Sequence, residues 1–124
     1  MVDTFVRKQR IKPGKTDELV EWVADLREEA DADTEGILDI WRAESLYTIS
    51  LFVEYGDDAD YLVWYLEAED MEQLIEARAN STHPLHDLED ELLETLLEDP
   101  AESGSFRPLF HGVSPDRPSE LLVQ

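Results

Sequence analysis

At 124 residues the chain is one domain's worth of polypeptide, long enough to bury a core without staples. Its 31 acidic and 10 basic residues give a formal charge of −21, which excludes nucleic acid as a partner, while a hydrophobic content of 42% excludes a disordered acidic tail. The absence of cysteine rules out disulfides and thiolate metal sites, and neither a signal-peptide-like opening nor an apolar run of about 18 residues occurs, so a cytoplasmic location away from membranes is expected.

Taken in chain order, Phe5 to Ile11 reads as a first strand that ends at the turn Lys12-Pro13-Gly14-Lys15. Thr16 offers a helix N-cap, with Asp17 and Glu18 suited to the helix dipole. Leu19, Trp22, Val23, Leu26 and Ala30 recur at spacings of three and four and predict an amphipathic helix. After the interruption at residues 31–34, Ile37, Leu38, Ile40 and Trp41 suit a second helical piece, with a strand over residues 34–44 as the alternative. Tyr47, Ile49, Leu51, Val53 and Tyr55 alternate with Thr48, Ser50, Phe52 and Glu54, a period of two. A turn at residues 56–59 leads into a returning strand from Asp60 to Ala68, which predicts a β-hairpin. Asp70 and Gln73 resemble a capping box, and Met71, Leu74, Ile75 and Arg78 are expected on the inner face of the helix they open. Pro84 suits the first turn of a further helix whose buried stripe is Leu85, Leu88, Leu92 and Leu96. Glu89, Asp90, Glu91, Glu94 and Glu98 are assigned to its solvated outer face, not to a metal site. Phe106 to Val113 reads as a last strand, confined by Pro108 to an edge, and residues 114–124 as a tail. The expected architecture is a single α+β domain over residues 1–113, ferredoxin-like, with helices on one face of an antiparallel sheet.

The hairpin also has a second face. Counting outward from Asp57-Asp58 pairs Tyr55 with Asp60, Val53 with Leu62, Leu51 with Trp64 and Ile49 with Leu66, an apolar set that belongs under the helices. The opposite set pairs Glu54 with Tyr61, Phe52 with Val63, Ser50 with Tyr65 and Thr48 with Glu67. That is too aromatic a surface to leave wet, so packing against the same face of a second copy is expected, giving a homodimer. Ser50, Glu54, Tyr61 and Tyr65 would then border a small-molecule pocket between the sheets. Arg7 or Arg10 is a candidate for holding an anionic group, although parity does not decide which points inward. Glu54 and His83 are the candidate proton acceptors. His83 and His86 are three apart, but Pro84 keeps His83 at or before the cap, so no metal site is assigned. No nucleophile–base pair, phosphate loop or cofactor fingerprint is present, and no cofactor is expected.

A charge of −21 repels itself strongly unless concentrated cations screen it, which points to a cytoplasmic protein of an extreme halophile. In Lys12-Pro13-Gly14-Lys15-Thr16, the hairpin end Tyr65 to Asp70, and Ser81-Thr82-His83-Pro84, the chain resembles an uncharacterised family of small acidic haloarchaeal proteins. That family looks like a branch of the dimeric α+β barrel proteins, whose sheets pack face to face around a pocket. The superfamily includes cofactor-free monooxygenases, small-molecule isomerases, haem-handling enzymes and proteins with no known activity. The resemblance implies a homodimer, a small-molecule site and cofactor-independent monooxygenase- or isomerase-like chemistry, and it singles out His83 within the S-x-H-P segment. The alternative is a non-catalytic stress or regulatory module whose sheet face serves only dimerisation.

Overall fold

The computed structural model of the protein describes residues 2–99 and 106–117, and of Leu85 the backbone alone. Seven elements follow one another: β1 (Asp3–Arg10), α1 (Thr16–Ala32), α2 (Thr34–Ala43), β2 (Leu46–Tyr55), β3 (Asp60–Ala68), α3 (Met71–Ala79) and α4 (Pro84–Thr95). The three strands form an antiparallel sheet in the order β1-β3-β2. Its hairpin register is the one counted from the sequence, because the period of two leaves a single alignment that keeps every apolar residue on the same side.

The helices cover that side. Leu62 and Trp64 of β3 pack with Leu19 of α1, with Leu92 of α4 and with Leu96 just after it, while Leu66 and Ala68 join Leu46 and Leu74. The order of the elements and of the strands is compatible with a ferredoxin-like α+β fold. After α4 the chain passes beside the end of β1. Lys12 N–H donates to the Leu96 carbonyl and Glu98 N–H to that of Arg10, and Ile11 bridges Leu97. This short bridge lies where the ferredoxin-like plan has its fourth strand.

Local chemistry accounts for several of the element ends. Asp33 closes α1 and opens α2, its carboxylate accepting the Gly36 N–H at 3.0 Å. A Cβ at residue 36 would meet that carboxylate, so any other residue there would make the capping side chain shift. Asp70 caps α3 by accepting from Glu72 and Gln73 N–H. Only half of the expected capping box forms, because the Gln73 side chain donates to the Ala43 carbonyl instead. Ser45, in the α2–β2 corner, has φ +54, and its hydroxyl both donates to the Asp70 carbonyl and accepts the Asp70 N–H. Those bonds compensate a backbone conformation that side chains disfavour.

Three sequence expectations differ from the structure, and one alternative is settled. Thr16 is the first residue of α1 and not its cap, since its hydroxyl donates to Asp60 at 2.7 Å. Ile75 is 63% exposed, because a nine-residue helix presents one narrow stripe and Leu74 fills it. Residues 34–43 are helix, which settles the alternative left open there. Residues 106–113 form no strand: they run as an exposed arm, and Pro108 supplies no backbone donor. Among the described residues, no helix is long and apolar enough to cross a membrane.

Candidate functional site

The sheet face away from the helices can be laid out in rows from the register. Across β1, β3 and β2 they are Thr4–Glu67–Thr48, Val6–Tyr65–Ser50, Lys8–Val63–Phe52 and Arg10–Tyr61–Glu54. Ser50, Glu54, Tyr61 and Tyr65 therefore share one face, as the alternation requires. Arg10 shares it too, 3.7 Å from Glu98, whereas Arg7 is opposite Trp64 and follows it to the helix-covered side. Glu54 is not a free carboxylate. Lys8 Nζ donates to it at 2.8 Å while lying 4.2 Å from the centre of the Tyr61 ring. Phe52 is 57% exposed in the row between.

His83 does not join this group. It precedes α4 in the helix layer, with Nε2 3.6 Å from an Asp33 oxygen, on the other side of the sheet from Glu54. The structure does not bring the two expected proton acceptors together.

At the other end of the open face is a group that the sequence did not reveal. Glu67 is buried, and it accepts from the Tyr65 hydroxyl at 2.8 Å and from Arg117 Nη1 at 3.0 Å. Arg117 Nη2 also reaches the Thr48 hydroxyl, and His111 Nε2 is 4.0 Å from the Glu67 carboxylate. Burial by itself raises the Glu67 carboxyl, but the Tyr65 and Arg117 hydrogen bonds outweigh it and hold the group below its ordinary range. Burial and the neighbouring carboxylate push the Tyr65 phenol up. Residues 114–117, read as the start of a tail, thus fasten the arm to the sheet. One signal was available: residues 104–115 contain no acidic residue in a chain that has 31.

A third group is buried among the helices. His86 Nε2 is 2.8 Å from Glu44 Oε1, and Arg78 lies 3.6 Å from the same oxygen. Arg78 reaches both oxygens of Glu89, at 3.3 and 3.2 Å. Glu44, His86 and Glu89 are all buried, which corrects the assignment of Glu89 to the solvated face. Helical periodicity placed Glu89 beside acidic neighbours, but Arg78 on α3 supplies the countercharge that lets it turn inward. Burial raises the Glu44 and Glu89 carboxyls, with Arg78 opposing, and burial lowers the His86 imidazole. One guanidinium faces two carboxyls, so the group is built to hold a proton.

Among the described residues, two clefts stand out on the surface. One, of about 420 Å³, opens between the start of β1, Met71 and residues 108–111. The other, of about 300 Å³, lies between the Lys12-Pro13-Gly14 loop and the turn at residues 56–60. Glu54 lines neither. Among the described residues, no three His, Asp or Glu side chains are grouped to hold a metal ion.

Residues 2–116 match a family of unknown function, DUF6176. The chain belongs to this family. The match covers every element of the sheet and the helix layer, and it continues through the arm to the residue before Arg117. No curated protein and no solved structure matches this family member.

Proposed function

We propose that the chain is a homodimer that packs its open sheet face on the same face of a second copy and encloses a small-molecule site between them. The observation that carries this reading is the exposed Phe52 ring, 57% accessible in the row with Val63 and beside Tyr61 and Tyr65. Covering that ring contributes about 1–2 kcal/mol per copy. Charge favours a second copy as the cover. Residues 3–16, 46–68 and 106–117, which form the sheet side, contain seven basic and seven acidic residues, so this side is formally neutral and the whole −21 falls on the remainder. Two such chains meet with least repulsion sheet to sheet.

In this reading the fold is a dimeric α+β barrel, the protein is a halophilic cytoplasmic one, and Ser50, Tyr61, Tyr65 and Arg10 border the ligand. Cofactor-independent chemistry of monooxygenase or isomerase type would use Glu54 as proton acceptor, with the Tyr61 phenol as an orienting donor. A second reading, a non-catalytic stress or regulatory module, is favoured by one observation: Glu54 is paired with Lys8, and the Tyr65 hydroxyl with Glu67.

Sedimentation equilibrium in molar KCl tests the dimer. The wild type should sediment as a dimer and Phe52→Asp as a folded monomer; a monomeric wild type sinks the proposal. Native mass spectrometry of the dimer separates the two readings, since a retained non-protein mass follows only from the first.

A further inference from the structure

The cleft under the arm combines three features that the open face does not share. Val2 and Met71 form one apolar wall and Leu109 and Phe110 the other, His111 lines the space, and its volume of about 420 Å³ suits a small organic molecule. The arm that makes the second wall is not loosely draped. Arg117 and His111 both converge on the buried Glu67, whose strand partner Thr4 also lines the cleft. Phe110 is nevertheless 92% exposed, so the wall has little apolar cover of its own.

The hydrogen-bonding capacity of His111 narrows the ligand. Glu67, ionised by its bonds to Arg117 and Tyr65, offers only acceptors, and at 4.0 Å from His111 Nε2 its charge favours the tautomer with the imidazole proton on that nitrogen. Nδ1 is left as a lone-pair acceptor and calls for a donor from the ligand. A cation finds a single carboxylate in the lining, Asp3, one oxygen of which already accepts the Met71 N–H at 3.1 Å, while Glu67 behind it is neutralised by Arg117. An anion is repelled by Asp3 and by the overall charge.

We propose that this cleft binds a small, uncharged, largely apolar molecule of phenol or enol type, whose single O–H donates to His111. Arg117 is a positioning residue in this site, since it acts by holding the arm that forms the wall. The inference deepens the small-molecule part of the reading above and does not depend on the dimer, because every residue of the cleft comes from one chain.

Phenol and anisole, which differ in the donor hydrogen, are the probes, titrated into the full chain in molar KCl and followed by amide NMR. Phenol should saturate one site per chain with shifts at Thr4, Met71 and His111, and anisole should bind about tenfold more weakly, the worth of one hydrogen bond. His111→Phe, on an exposed arm, should bring phenol down to the anisole level. Equal affinities for the two probes, no saturable binding, or shifts centred on Val63 and Phe52 would each overturn the site. In Phe52→Asp phenol binding should persist; its loss there would move the ligand between the sheets and remove the arm cleft from consideration, while leaving the dimer proposal standing.

Discussion

Glu44, Arg78, His86 and Glu89 make the stability of the fold depend on protons. The Glu44 and Glu89 carboxyls are raised above the ordinary value of 4.5 by burial, so they bind protons more tightly in the folded than in the unfolded chain. Their contribution is complete below pH 4.5 and is lost as pH rises through their folded values. His86 is displaced the other way, below 6.5, so its contribution is present above pH 6.5 and lost as pH falls through its folded value. The two trends oppose each other, and each can be removed separately. Glu89→Gln should flatten the fall in melting temperature above pH 4.5, and His86→Gln should flatten the fall below pH 6.5. Thermal melts across that range check both, and parallel curves for wild type and variants would show that the group is not titrating. None of this was legible beforehand, because Glu89 sits in a run of acids indistinguishable in sequence from solvated surface. Its burial depends on Arg78, which periodicity assigns to a different helix.

At the scale of elements, short-range chemistry wrote several of the boundaries. The hairpin was legible to the residue, since a register error of one would expose Leu62, Trp64 and Leu66 together. Asp70 was legible as a cap for a similar reason, as it immediately precedes a helical run and has two orphan amides to satisfy. Asp70→Ala should cost about 1 kcal/mol in urea denaturation. Asp70→Asn should recover most of that loss, which distinguishes capping from a general charge effect. The arm shows where such signals end. Its apolar residues Leu109 and Phe110 resemble strand material, but a strand needs an edge with free donors and acceptors in register. Pro108 supplies no donor, and residues 96–98 already pair with the end of β1.

For the whole molecule the decisive quantity is the distribution of charge. All of the −21 lies outside the sheet and its arm, concentrated on the helix layer and the chain around it. Such a layer repels itself, and the repulsion is screened over about 3 Å at 1 M salt against about 10 Å at 0.1 M. The melting temperature should therefore climb between 0.1 M and molar KCl. A curve indifferent to salt would undo the halophilic reading. The proposed dimer face should respond less, since its neutral composition leaves little repulsion to screen, and the two salt dependences can be read separately by calorimetry and sedimentation.

The sequence by itself determined the α+β class, the hairpin register, the helix spacing and the grouping of Ser50, Glu54, Tyr61 and Tyr65 on one face, because each follows from a period or a cap acting over a few residues. Only the tertiary structure decided that Arg7 and Arg10 part to opposite faces, that His83 stands away from Glu54, that Arg117 and His111 seek out Glu67, and that Glu44 and Glu89 are buried around Arg78. Those outcomes hinge on which distant charge meets a side chain once the layers close. Pairing across tens of residues is set by packing, and it leaves no local trace in the chain.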